Sequence, residues 1–191
     1  MPDPARLVAD LTSPDEARAE AAVAALAELS EPALEAILPL LELPSADIRW
    51  RAVRVLAAVR TPRAAAALAT TLDDDDALVR HAAAIGLRMQ PRTQAAPALV
   101  ERLGDRDSLM ARLASDALAA LGAPALPHLR RALASSDVGT RIYAARALAS
   151  IDDPAAVPHL FAALEDDSPI VQHWAERGLE RHGVGMVFFA P

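Results

Sequence analysis

Cysteine, lysine and asparagine are absent from this 191-residue chain, and aromatic side chains make up only 3% of it: two Trp, one Tyr and three Phe. Without cysteine there is no disulfide, no thiolate nucleophile and no cysteine metal site, although that absence does not by itself fix a compartment. With so few aromatics, Ala, Leu and Val must supply the core, and small side chains let helices pack closely. All positive charge is arginine, which a GC-rich coding sequence accounts for. The net charge of -7 and pI near 5.2 disfavour nucleic acid and anionic membranes as partners, since both need clustered positive charge. The opening residues Met1-Pro2-Asp3-Pro4 lack the pattern of a secretory leader, and no stretch reaches about 18 uninterrupted apolar residues. The expectation is a cytoplasmic protein with no membrane contact.

Catalytic and metal patterns are missing as well. There is no His-Glu-x-x-His and no phosphate loop, and Gly183-Val184-Gly185 does not stand between a strand and a helix. The run Asp73 to Asp76 lacks the glycine and distal glutamate of an EF-hand and reads as a solvated turn. His128 and His159 occupy matching places 31 positions apart but have no third ligand. No catalytic residue, cofactor or metal is expected.

What the chain has is repetition. Leu26, Leu56, Leu87, Leu118, Leu148 and Leu179 stand 30 or 31 positions apart. Four places before each comes an alanine: Ala22, Ala52, Ala83, Ala114, Ala144 and Ala175. Eleven places before comes Asp15, Ser45, Asp76, Asp107, Asp137 or Ser168, and fifteen before comes Leu11, Leu41, Leu72, Leu103, Leu133 or Leu164. A period of this size means stacked units, because one unit cannot bury its apolar face alone.

The third copy shows the physics. Pro62 suits a first helical turn, and Leu68 and Leu72 then share one face. After the acidic break, Asp76 can accept from the free N–H groups that open a second helix. Along that helix Val79, Ala83, Gly86 and Leu87 fall on one face at a period of 3.6. Each unit is therefore an antiparallel helix pair. The string Asp76-Ala77-Leu78-Val79-Arg80-His81-Ala82-Ala83-Ala84-Ile85-Gly86-Leu87 resembles the HEAT-repeat family in its short bacterial, phycobilisome-lyase-type form, and the likeness covers nearly the whole chain. The resemblance implies an all-α, right-handed α-solenoid of about six HEAT-like antiparallel helix pairs, at residues 4–30, 31–60, 61–91, 92–122, 123–152 and 153–182. The apolar tail 183–191 follows as a separate segment. It also implies that the second helices line a concave groove, and that Arg49, Arg80 and Arg141 form a ladder with Asp47, Asp76 and Asp137.

Function must then lie where the copies differ. At 100° per residue, the positions facing away from the core give Trp50, Arg54, His81, Ile85, Arg88, Arg112, Asp116, Ile142, Arg146, His173 and Arg177. Arginine beside exposed tryptophan is the composition of a binding hot spot. Two alternatives remain: Trp50 can fold over Val23 and Ala24, and the arginines can pair with acidic neighbours such as Asp116. The leading expectation is a non-enzymatic scaffold or adaptor that binds an acidic peptide or protein in the groove. One alternative is a phycobilin-lyase-like assembly or modification factor, since similar repeats occur in lyases that attach a tetrapyrrole to protein. Another is a DNA-binding protein or alkylpurine glycosylase, with Trp50, Asp116 and Trp174 in its roles. Phe188 and Phe189 in the tail are candidates for capping the last copy or for self-association.

Overall fold

A computed structural model describes residues 3–184, and among these it contains twelve α-helices and no strand. They form an all-α solenoid of helix pairs: α1 (Pro4–Leu11) with α2 (Glu16–Leu29), α3 (Glu31–Ile37) with α4 (Ala46–Ala58), and α5 (Pro62–Thr71) with α6 (Ala77–Met89). After these come α7 (Ala96–Glu101) with α8 (Ser108–Leu121), α9 (Leu126–Leu133) with α10 (Val138–Ser150), and α11 (Val157–Ala163) with α12 (Pro169–Arg181). The chain divides into two compact units, residues 1–95 and 96–191, of three pairs each. No helix among the described residues is long and apolar enough to cross a membrane.

The repeat columns are the core. The six spaced leucines are at most 4% exposed and the six alanines at most 2%. Each buried leucine contributes about 1.5–3 kcal/mol, and each alanine lets a neighbouring backbone come near. The earlier leucine column is less uniform: Leu11, Leu72 and Leu103 are buried, whereas Leu41, Leu133 and Leu164 are half-buried. The Asp/Ser column provides N-caps, as expected. Asp15, Ser45, Asp76, Asp107 and Asp137 each accept from a backbone N–H in the first turn of the helix that follows. Ser168 makes no such bond and is followed by Pro169 at the helix start.

The arginine ladder is built differently from the expectation. Arg49 is 8% exposed and does not meet Asp47 or Asp76. Its Nε and Nη2 each lie 2.8 Å from the carboxylate of Asp74, in the turn of the next pair, with Asp75 beside them. Its Nη1 donates to the carbonyls of Leu43 and Pro44 at 3.0 and 3.1 Å. Arg141 repeats the arrangement on Asp166, at 2.8 Å from Nε, and Asp167, with the carbonyls of Ser135 and Ser136. Arg80 donates to the carbonyls of Asp74 and Asp75. The capping aspartates Asp76 and Asp137 accept instead from the first turn of their own helices. The acidic turn is therefore only partly solvated: the Asp74 side chain is 9% exposed, that of Asp75 90%.

The two units share these features three repeats apart, a longer period than the single repeat. Gly86 and Gly178 correspond, and both allow close contact. A Cβ at Gly178 would lie 2.7 Å from Leu160 Cδ2 and 2.9 Å from the Ala149 Cα, and one at Gly86 would lie 3.0 Å from Ala57 Cβ. Gln90 and His182 correspond as well, each reaching a backbone carbonyl of the preceding pair, Leu56 at 2.8 Å and Ile151 at 3.2 Å.

Two predictions follow from this packing. Burial pushes the Asp74 and Asp166 carboxyls up, but hydrogen bonds from Arg49 and Arg141, and from the Asp76 and Ser168 amides, outweigh it and hold both below the ordinary carboxylate value. Their stabilisation is complete above the unfolded-state pKa of about 4 and is lost as pH falls through the lowered folded-state values. Melting temperature should accordingly be flat from pH 7 to about 5 and drop below about 4; in Asp74→Ala and Asp166→Ala chains, about 3 kcal/mol less stable at pH 7, that acid drop should be smaller. Secondly, Gly178→Ala gains about 1 kcal/mol of helix propensity but overpacks α12 against α10 and α11 by about 1–3 kcal/mol. Urea denaturation should show net destabilisation.

Candidate functional site

In the first unit the sequence-derived candidates lie on α4 and α6. Trp50 is half-buried and Arg54 stands one turn further along α4. The Arg54 guanidinium is clamped on Glu20 of α2, with N–O distances of 2.6 and 2.7 Å, and lies 4.8 Å from the centroid of the Trp50 ring. The Arg54 hydrogen bond lowers the Glu20 carboxyl, and the same bond raises Arg54. Behind them Arg51, 8% exposed, donates to the carbonyls of Leu11 and Ser13 at 3.0 and 2.8 Å and lies 2.9 Å from Asp47. These side chains border a cleft of about 400 Å³ whose remaining walls are Glu16, Ala17, Ala19 and Val23. Trp50 thus shares this cleft with Val23 of the first pair and borders open space. On α6, His81 is half-buried, while Ile85 and Arg88 are exposed.

In the second unit the candidates converge. Arg146 on α10 donates from Nη1 to Asp116 at 2.7 Å and Ser115 Oγ at 3.2 Å, both on α8, and its guanidinium lies 5.7 Å from the centroid of the Trp174 ring on α12. The same nitrogen is 3.5 Å from the Arg112 carbonyl, so α8 and α10 meet here. Ser115 is fully buried and donates to the Tyr143 carbonyl at 2.9 Å, and the Tyr143 hydroxyl donates to the Ser108 carbonyl at 3.2 Å. His173 meets Trp174 edge to face, with ring centroids 5.8 Å apart. Arg112 and Arg177 are exposed and have no ion-pair partner among the described residues. Arg146 thus stands between a carboxylate and an indole, while Arg112 on α8 and Arg177 on α12 carry unpaired guanidiniums, groups that pair with carboxylates in a planar fork.

Three expectations change. Ile142 is half-buried and packs on Ala145, Ala163, Val171 and Ala175 rather than standing free. Arg54 and Arg146 are already neutralised, leaving Arg88, Arg112 and Arg177 as the unpaired arginines of the row. Trp174, one position outside the outward row, packs on the same core residues as Ile142 and has its ring 5.7 Å from the Arg146 guanidinium. No group of three or more His, Asp or Glu among the described residues could hold a metal, and His128 Nδ1 instead lies 3.3 Å from Arg131. Asp116, the free carboxylate that base excision would need, is held by Arg146. Phe188 and Phe189 lie outside the described residues.

The fold is that of a repeat-built all-α solenoid, and family comparison agrees. The HEAT-repeat model matches residues 4–88 and again 96–180, three repeats later, and the PBS lyase HEAT-like repeat matches residues 79–105. The chain belongs to the HEAT-repeat family. Among curated proteins it is similar to the bilin biosynthesis protein RpcF of Synechococcus sp. (strain WH8020), 40% identical over 87 residues, which are 45% of this chain and 42% of that protein. It is also similar to a phycobilisome maturation protein of Synechococcus elongatus (strain ATCC 33912 / PCC 7942 / FACHB-805), 40% identical over 111 residues, or 57% of this chain and 52% of that one. The chain spans about half the length of the curated relatives it matches. Among solved structures, the complex of CpcE and CpcF of phycocyanin lyase from Nostoc sp. PCC7120 matches with a TM-score of 0.55 and 25% identity, over 94% of this chain and 76% of that chain. These findings overturn the expectation of a non-enzymatic scaffold for an acidic peptide or protein: the relatives are bilin proteins, and the pairing of Arg54 and Arg146 removes much of the positive stripe on which that reading stood.

The shielded Arg146 pair should matter more than surface pairs. Arg146 and Asp116 side chains are 20% and 25% exposed, whereas Arg63 and Glu31 are both 52% exposed. A double-mutant cycle read by urea denaturation should give a coupling of about 1.5 kcal/mol for the first pair and about 0.5 kcal/mol or less for the second.

Proposed function

We propose that this chain is a phycobilin-lyase-like assembly factor, which holds a bilin while it is joined to an acceptor protein. The observation that carries the reading is Arg146, whose guanidinium lies between Asp116 and the Trp174 ring, with exposed, unpaired Arg112 and Arg177 on the flanking helices α8 and α12. A bilin presents a conjugated system to an indole and propionate carboxylates to guanidiniums, which bind carboxylate in a planar fork. The relatives among bilin proteins support the same substrate class. A second polypeptide as working partner is part of the proposal, supported by the two-subunit lyase complex among the structural matches.

The chain's own residues bind and orient in this reading. Arg146 exchanges Asp116 for a propionate, Arg112 and Arg177 take the second carboxylate or the same one from either side, and Trp174 supports the rings. With no cysteine in its 191 residues, the chain cannot hold the bilin through a thioether of its own, so the pigment is carried without a covalent bond. Incubating the purified chain with biliverdin should give a saturable change in the visible absorption band. The colour should leave the polypeptide on a denaturing gel. Replacing Arg112, Arg146 and Arg177 by Glu should weaken binding tenfold or more. An unchanged band with the unsubstituted chain, or undiminished binding by the triple variant, would overturn the proposal.

A further inference from the structure

The cleft beside Trp50 in the first unit has a chemistry opposite to that of the second unit's site. Its two guanidiniums are already engaged with acceptors of the protein. Arg54 spends both terminal nitrogens on Glu20 and covers part of the Trp50 ring, and Arg51 is buried against the Leu11 and Ser13 carbonyls and Asp47. The acceptors, in contrast, face solvent. Glu16 is exposed and has no hydrogen-bond or ion-pair partner among the described residues. The Glu20 and Asp47 side chains are 63% and 59% exposed, and each retains lone pairs beyond its single arginine partner. Three carboxylates against two guanidiniums leave the cleft negative, and the ones a visitor meets are the carboxylates. Ala17, Ala19, Val23 and the indole give it an apolar wall, and its volume of about 400 Å³ lies at the small end of ligand sites.

We propose that this cleft is a receptor for a cationic side chain, the guanidinium of an arginine on a partner polypeptide. A planar guanidinium matches a carboxylate fork and stacks on an indole face, which a compact ammonium does less well. The cleft already displays that geometry internally: Arg54 is bidentate on Glu20 and stacked on Trp50 at the same time. An incoming arginine would pair with Glu16 and Asp47 along the same wall. The chain's net charge of -7 steers such a partner inward, more strongly at low salt. A hydrated metal ion would use the carboxylates but gain nothing from Trp50, and bilin propionates would be repelled.

The test uses an acetylated, amidated Gly-Arg-Gly peptide and its citrulline counterpart, which has nearly the same shape but no charge. In a Trp174→Phe chain, Trp50 is the only tryptophan and its emission reports the cleft directly. Titration with the arginine peptide should give a saturable change with a Kd of roughly 1–10 mM, the range of a single side-chain contact. The citrulline peptide should bind at least tenfold more weakly, and Glu16→Gln should weaken the arginine peptide at least threefold. Calorimetry on the unsubstituted chain gives the same comparison should Trp174→Phe disturb the fold. Equal responses to both peptides, no saturable response, or an unchanged affinity in Glu16→Gln would each overturn the proposal. No tetrapyrrole is present in the titration, so its outcome is independent of the bilin reading.

Discussion

Helix-to-helix distance at the six buried alanines is the constraint on which the rest depends. Ala52, Ala83, Ala114, Ala144 and Ala175 are buried to 0% exposure, and close packing of small side chains brings backbones near enough for side-chain-to-carbonyl bonds across pairs. Arg51 can reach the Leu11 carbonyl, Gln90 the Leu56 carbonyl and Ser115 the Tyr143 carbonyl only because the pairs stand this close. Gly86 and Gly178 take the same principle to its limit. Leucine then fills what alanine leaves, and the core needs almost no aromatic residue.

Much of this was legible in the residues. Periodicity located each pair, and the Asp/Ser column located the starts of the second helices, since short-range hydrogen bonding and burial operate over distances that spacing encodes. Three features were not legible, each for a physical reason. The partners of Arg49 and Arg141 sit in the next turn, two residues and one residue before a cap, where a one-residue difference decides whether a carboxylate serves its own helix or a neighbour's arginine. Ile142 was assigned outward by its angle on α10, yet α12 packs over it. Trp174 falls one position outside the outward row, but a ring of that length reaches across to Arg146. Angular arithmetic treats side chains as directions, and large ones are areas.

An all-arginine complement of positive charge also shapes the two candidate sites. Guanidinium groups have five donors in a rigid fork, so a single arginine can satisfy several acceptors at once. Arg49 and Arg141 use that capacity to tie turns together, and Arg51 uses it in the interior. The surface charge that remains is therefore not the sum of the residues in a row but what is left after these bonds are made. By that measure the Trp50 cleft is negative and the Trp174 face positive, although both contain arginine beside tryptophan. Sequence composition alone gives the two the same appearance.

Arg146 has a second role that its contacts impose. Its bonds to Asp116 and Ser115 strap α10 to α8, while its guanidinium also faces the ring on α12. A carboxylate that drew Arg146 away from Asp116 would remove one side-chain tie between α10 and α8 and leave those of Ser115 and Tyr143. In the proposed reading, where a propionate takes Arg146 from Asp116, occupancy and stiffness become two readings of one guanidinium.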